Sequence, residues 1–150
     1  MLVAIGNDHR GVGIRDHLFG LLESLDVEVL DLGAPDDNPV DYPDVALAVA
    51  QAVIAGKANF GILICGTGIG MSIAANKVPG IRAAICNDEI TAELSRKHNN
   101  ANILCLPAAL IGGTQMDRVI EQWLATDFDG GRHQRRNEKI AEIEQAQAAN

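Results

Sequence analysis

The stretch Gly61-Ile62-Leu63-Ile64-Cys65-Gly66-Thr67-Gly68-Ile69-Gly70-Met71-Ser72-Ile73-Ala74-Ala75-Asn76-Lys77 joins an apolar, strand-length run to a helix-like pattern. Between them a cysteine is followed by three alternating glycines. Glycine lets the backbone take positive φ and approach a neighbour closely, and amides gathered at a helix start favour negative charge. The segment reads as strand, glycine turn and helix, with a sulfur at the mouth of an anion-binding loop. A tight strand–helix turn that needs its glycines for geometry alone is the other reading.

Four more runs, at 2–6, 27–32, 81–86 and 102–106, are nearly continuous in Val, Ile, Leu, Ala and Cys, as strands covered on both faces are. Helical periodicity fills the gaps. Ile14, Leu18, Leu21, Leu22 and Leu25 share one helical face. Val45, Val49, Ala52 and Val53 mark a second helix, with Pro43 near its first turn and Gly56 at its stop. Asp88 is placed to cap a segment through Ile90 and Leu94 to His98. A further helix spans roughly 108–125 and carries Met116, Val119, Ile120 and Trp123. The tail from Arg132 to Asn150 has a sparse apolar set, Ile140 and Ile143, which suits an arm packing on another subunit or a loosely docked terminal helix. Alternating strands and helices predict one α/β domain over residues 1–150, with a parallel sheet and right-handed crossovers.

Composition narrows the function. The chain has 150 residues, 47% hydrophobic and 21% charged, which is globular. No run reaches the length of a membrane span, and Met1–Gly6 reads directly as a strand without a basic leader, so a cytoplasmic protein is expected. A net charge of −8 and only 3% aromatic residues argue against a nucleic-acid partner. The odd, widely spaced cysteines Cys65, Cys86 and Cys105 argue against disulfides or a zinc site. Cys86 and Cys105 read as small buried hydrophobes.

Ligands of parallel sheets sit beyond the carboxyl ends of the strands. The candidates there are Asn7, Asp8 and His9, then Cys65 to Gly70, then Asn87 and Asp88. His98 and Asn99, which end the helix before the fifth strand, join them. The glycine loop does not fit a dinucleotide fingerprint, since position 71 is Met and the motif belongs after the first strand. No G-x-x-x-x-G-K-[ST] exists. Dipoles at a helix start can lower the pKa of Cys65 toward that of a base. His98 at a helix C-terminus tends to keep its proton, as an acid or as a solvated cap. Asp8-His9 is a catalytic pair or a polar loop. Arg132 and Arg136, four apart, could share a helical face and grip phosphate, or form a solvated basic patch.

Together these segments identify a resemblance. Asp8-His9, Asp41-Tyr42-Pro43, the block Ile64–Lys77, Gly80-Ile81-Arg82-Ala83, His98-Asn99-Asn100-Ala101-Asn102 and Gly130-Gly131-Arg132-His133 resemble the type B ribose-5-phosphate isomerases. That group also contains galactose-6-phosphate isomerase subunits and allose-6-phosphate isomerases. The resemblance covers nearly the whole chain. It implies a Rossmann-like three-layer sandwich whose C-terminal helix packs on a partner subunit, in a homodimer or a tetramer, with no metal and no cofactor. It implies aldose–ketose isomerisation of a phosphorylated sugar through a cis-enediol intermediate, with ribose 5-phosphate and ribulose 5-phosphate as the default pair.

On that resemblance Cys65 is the base between C1 and C2, where other members use a glutamate. Thr67 assists near the reacting carbons, and the amides of Gly66, Gly68, Ile69 and Gly70 hold the enediolate. His98 opens the furanose ring with Asp8 beside it, and Tyr42 and Asn99 position the sugar. His9, Arg132 and Arg136 grip the phosphate, the arginines from the partner chain. One position departs: many relatives carry a phosphate-contacting arginine after the fifth strand, where this chain has Ala109. Arg10, beside His9, is the candidate replacement; a surface arginine without a role is the other reading. The departure leaves a four- or six-carbon sugar phosphate (tetrulose 4-phosphate, allose 6-phosphate or galactose 6-phosphate) as an alternative substrate. A non-catalytic sugar-phosphate-binding subunit and a nucleotide-binding oxidoreductase are the competing functions.

Overall fold

The computed structural model describes residues 1–148. Five strands, β1 Leu2–Asn7, β2 Glu28–Asp31, β3 Phe60–Cys65, β4 Ala83–Ile85 and β5 Ile103–Pro107, form one parallel sheet in the order β2-β1-β3-β5-β4. The five apolar runs correspond to these strands within a few residues. Burial follows the order: β1, β3 and β5 are buried almost throughout, whereas β2 and β4 are partly exposed and short, as edge strands tend to be.

Helices cover both faces and complete a Rossmann-like three-layer sandwich. On one side, α1 Val12–Ser24, α4 Glu89–Asn99 and α5 Gly113–Ala125 pack Leu18, Leu22, Ala92, Met116 and Trp123 against Ile5, Ile62, Ile64 and Leu104. On the other, α2 Tyr42–Ile54 and α3 Ile69–Ala75 pack Ala46, Val49, Met71 and Ala75 against Ala4, Leu63, Ile103 and Cys105. Cys86 and Cys105 are fully buried within these layers. No helix among the described residues is long and apolar enough to cross a membrane.

Several local expectations hold for the stated reasons. Asp88 Oδ1 caps α4 by accepting the Thr91 N–H at 2.7 Å, and Pro43 sits in the first turn of α2. The fifth helix departs from expectation: it begins at Gly113, not at 108. The amides of Ala108 and Ala109 instead donate to the carbonyls of Cys65 and Gly66, each at 2.9 Å. Those bonds extend the β3–β5 pairing past the strands and hold 108–112 out of the helix.

The last helix, α6 Arg132–Ala148, follows two positive-φ glycines, Gly130 and Gly131. It lies against its own α4. Asn137 Nδ2 donates to the His98 carbonyl at 3.4 Å, and Glu144 accepts the Gly80 N–H at 3.0 Å. Ile140 and Ile143 remain 41% and 62% exposed, so the sparse stripe read in the sequence is left largely uncovered by its own chain.

Arg96 ties the end of α4 to the rest. Its guanidinium is buried over the Phe60 ring at 4.7 Å and donates to Ala101 O at 2.6 Å, Asn100 Oδ1 at 3.0 Å and Thr126 O at 3.3 Å. Removing it strands buried carbonyls without donors. Arg96→Ala is expected to cost about 2–4 kcal/mol in urea unfolding. Arg96→Lys should recover less than half of that, because an ammonium cannot reproduce the fork.

Candidate active site

The turn after β3 is built by three contacts. Gly68 has φ +73, a left-handed value that a side chain would strain. Its N–H donates to Cys65 Sγ at 3.1 Å, and the Ile69 N–H donates to Thr67 Oγ1 at 3.3 Å. Two of the loop amides read in the sequence as facing a ligand are thus engaged within the loop, one of them on the sulfur.

Neighbouring elements close around this turn. The Tyr42 ring lies so near Gly70 that a Cβ there would stand 2.6 Å from Cζ. Arg10 lies over Gly66, where a Cβ would be 3.0 Å from Cδ and 3.7 Å from Nη1. Asp8 is buried and spends Oδ1 on the Arg10 backbone N–H at 2.9 Å. The result is a cleft of about 450 Å³ lined by Asp8, Arg10, Tyr42, Cys65–Thr67, Ile69, Gly70 and Ile73. It lies beyond the carboxyl ends of β1 and β3, where the strand order reverses. A larger hollow of about 560 Å³ beside β2 is lined by Glu23, Asp26, Glu28 and Asp31 with apolar neighbours; its acidic wall holds neither nucleophile nor cation.

The remaining candidates form a second cluster elsewhere. Helix α4 runs back from the end of β4, so His98 and Asn99 reach the edge where β5 starts. That edge is about 15 Å along the sheet from Cys65, the length of β5 or of α4. The expectation that His98 sits beside Asp8 therefore does not hold within one chain. At its own edge His98 stacks on His133, centroids 4.2 Å apart and planes 3° from parallel. Asn99 is exposed nearby, and Arg132 and Arg136 are exposed one turn apart at the start of α6. Burial, with the adjacent His98, Arg132 and Arg136, pushes the His133 pKa down. His9 is half-buried with Nδ1 unpartnered among the described residues and does not line the cleft.

His98, Asp129 and His133 bring their potential ligand atoms within 4.8 Å of one another. The ring planes are parallel rather than convergent, and Arg132 Nε approaches His133 Nε2 at 3.4 Å. The group suits a stacked pair better than a metal cage.

A sugar-isomerase family model, described as Ribose/Galactose Isomerase, matches residues 3–140. The chain belongs to this family. A putative sugar phosphate isomerase of Bacillus subtilis is 47% identical, with 97% of this chain and 98% of that protein covered. Ribose-5-phosphate isomerase B of Escherichia coli is 43% identical, covering 95% and 96%. Among solved structures, ribose-5-phosphate isomerase B of Clostridium thermocellum superposes with a TM-score of 0.96 at 46% identity, covering 97% and 99%. The Mycoplasma genitalium enzyme, solved with bound ribulose 5-phosphate, superposes with a TM-score of 0.91 at 40% identity, covering 96% of each chain.

Ile73, Asp129 and His133 escaped the reading of the sequence. Ile73 lines the cleft, four residues after Ile69 on the same helical face. His133 was visible in the Gly-Gly-Arg-His motif, but nothing in its spacing pointed to His98.

Thiol reactivity separates the cysteines. Burial pushes the Cys86 thiol up to about 11 and the Cys105 thiol up still further, so both stay protonated and unreactive at pH 8. Iodoacetamide on the native protein is expected to give a single adduct, on Cys65. Mass spectrometry should find Cys86 and Cys105 adducts only after denaturation.

Proposed function

We propose that this protein interconverts ribose 5-phosphate and ribulose 5-phosphate through a cis-enediolate, with Cys65 as the base. The observation that carries the reading is the sulfur of Cys65 held by the Gly68 amide at the wall of a cleft shared with Asp8, Thr67 and Tyr42. In the proposed reaction His98 protonates the ring oxygen as the anomeric hydroxyl gives up its proton, which opens the furanose. Cys65 then takes the C2 proton and returns it to C1, while the proton of the O2 hydroxyl passes to O1. Thr67 and the loop backbone around Gly66 and Gly70 face the developing oxyanion, where one preorganised donor is typically worth about 3 kcal/mol. Tyr42 and Asn99 orient the sugar, and His9, Arg132 and Arg136 hold the phosphate away from the reacting carbons.

Because His98 and Cys65 stand at opposite edges of one sheet, the reading requires a second copy. In an isologous homodimer each chain offers its Cys65 cleft to the His98–Asn99–Arg132–Arg136 cluster of the other. The uncovered Ile69 and Ile73 of α3, beside the cleft, and Ile140 and Ile143 of α6, beyond the histidines, give such a dimer apolar surface to bury. This is also how α6 would pack on a partner. A thiol base must stay reduced, which fits the cytoplasm.

Assays on a panel of tetrose, pentose and hexose phosphates test the sugar. The highest kcat/KM is expected for ribose 5-phosphate. A clear preference for a four- or six-carbon substrate would move the assignment within the family, and binding of sugar phosphates without turnover of any would reduce the protein to a binding subunit. Cys65→Ala should lower kcat about 10²–10⁴-fold. For the shared site, Cys65→Ala and His98→Ala proteins can be dissociated, mixed and reassociated. Random pairing is expected to restore roughly a quarter of wild-type activity, since one site of each mixed dimer is intact. No recovery would place the whole site within one chain.

A further inference from the structure

We propose that Arg10 binds the substrate phosphate from the same chain that supplies Cys65. The assignment rests on the isomerase reading and deepens it, because it places a cation for the phosphate on both halves of the site.

Arg10 is the only lysine or arginine lining the cleft among the described residues. Most arginines elsewhere in the fold are engaged. Arg15 pairs with Asp31, Arg82 donates to the carbonyls of Asn99 and Asn100, Arg96 to those of Ala101 and Thr126, and Arg118 approaches Glu89. The Arg10 guanidinium has no hydrogen bond and no ion pair among the described residues, although the chain carries a net charge of −8.

Asp8, two residues before it, serves the main chain: its Oδ1 accepts the backbone N–H of Arg10, and no ion pair joins its carboxylate to the guanidinium among the described residues. The side chain is seated by a glycine: a Cβ at Gly66 would lie 3.0 Å from Arg10 Cδ, 3.7 Å from Nη1 and 3.9 Å from Nε. An unpaired planar fork held over the loop next to Cys65 matches a phosphate, which takes two of its N–H groups at once. Among the described residues that line the cleft, Asp8 would otherwise be the only acidic or basic residue, and its carboxylate repels a phosphate dianion.

The same point of the cleft is reachable from the segment after β5. Ala109 is exposed and its N–H donates to the Gly66 carbonyl at 2.9 Å. A long side chain at 109 would start beside the glycine over which Arg10 lies. A guanidinium supplied from 109 should therefore stand in for the one supplied from 10.

The test combines steady-state kinetics on ribose 5-phosphate with calorimetric titration of inorganic phosphate. Wild type, Arg10→Ala, Arg10→Gln and the double variant Arg10→Ala/Ala109→Arg are compared. Arg10 is exposed, and unchanged far-UV circular dichroism will show that the variants fold. Loss of the guanidinium is expected to raise KM and weaken phosphate binding about ten- to a hundredfold, with kcat held within about twofold. The double variant should regain most of the lost affinity. Unchanged KM and phosphate affinity in both single variants would overturn the proposal, as would a loss confined to kcat, which would put the guanidinium on the reacting carbons. A wild-type protein without turnover but with Arg10-dependent phosphate binding would sink the isomerase reading and leave this assignment standing.

Discussion

The turn from β3 into α3 is the constraint on which the site depends. The chain must leave a fully buried strand and start a helix within a few residues, and it does so through the left-handed Gly68 with its N–H on Cys65 Sγ. Everything around the turn is arranged to fit it. The Ala108 and Ala109 amides satisfy its carbonyls, Tyr42 packs where Gly70 has no side chain, and Arg10 crosses where Gly66 has none. Backbone groups leaving a sheet need partners, and here the partners come from the segment after β5. Two strands adjacent in space therefore share one loop structure, and the sulfur is fixed by both.

Charge is distributed to match. The surface is acidic overall, while arginines stand at both clusters, Arg10 over the turn and Arg132 with Arg136 at the start of α6. At that second place the stacked His98 and His133 are fixed by the same α4–α6 packing that Arg96 supports from beneath. Burial there keeps His133 biased toward its neutral form, so the stack does not place two full positive charges face to face.

Much of the fold was legible in the sequence because it is local. The five strands declared themselves as continuous apolar runs, α1 and α2 showed one-sided apolar spacing, and α4 was marked by its cap, Asp88. Asp88 and Pro43 do what their residue types suggest. The start of α5 was misread because Ala108 and Ala109 are good helix formers; their amides are taken by Cys65 and Gly66, a pairing more than forty residues distant in sequence. The cysteine loop was legible as a site, but the direction of its amides was not, since a glycine pattern does not say which N–H turns inward.

By itself the sequence determined the family, the α/β alternation and the place of the candidate loop, because periodicity, glycine and capping act over a few residues. Only the tertiary structure decided the strand order, which inserts β5 between β3 and β4, and with it which ends of the elements meet. A helix that returns a parallel strand to its starting edge carries its last residues to the opposite side of the sheet from the strand ends. That geometry, invisible in any spacing along the chain, separates His98 from Cys65 and gathers Arg10, Tyr42 and Ala109 around one glycine turn.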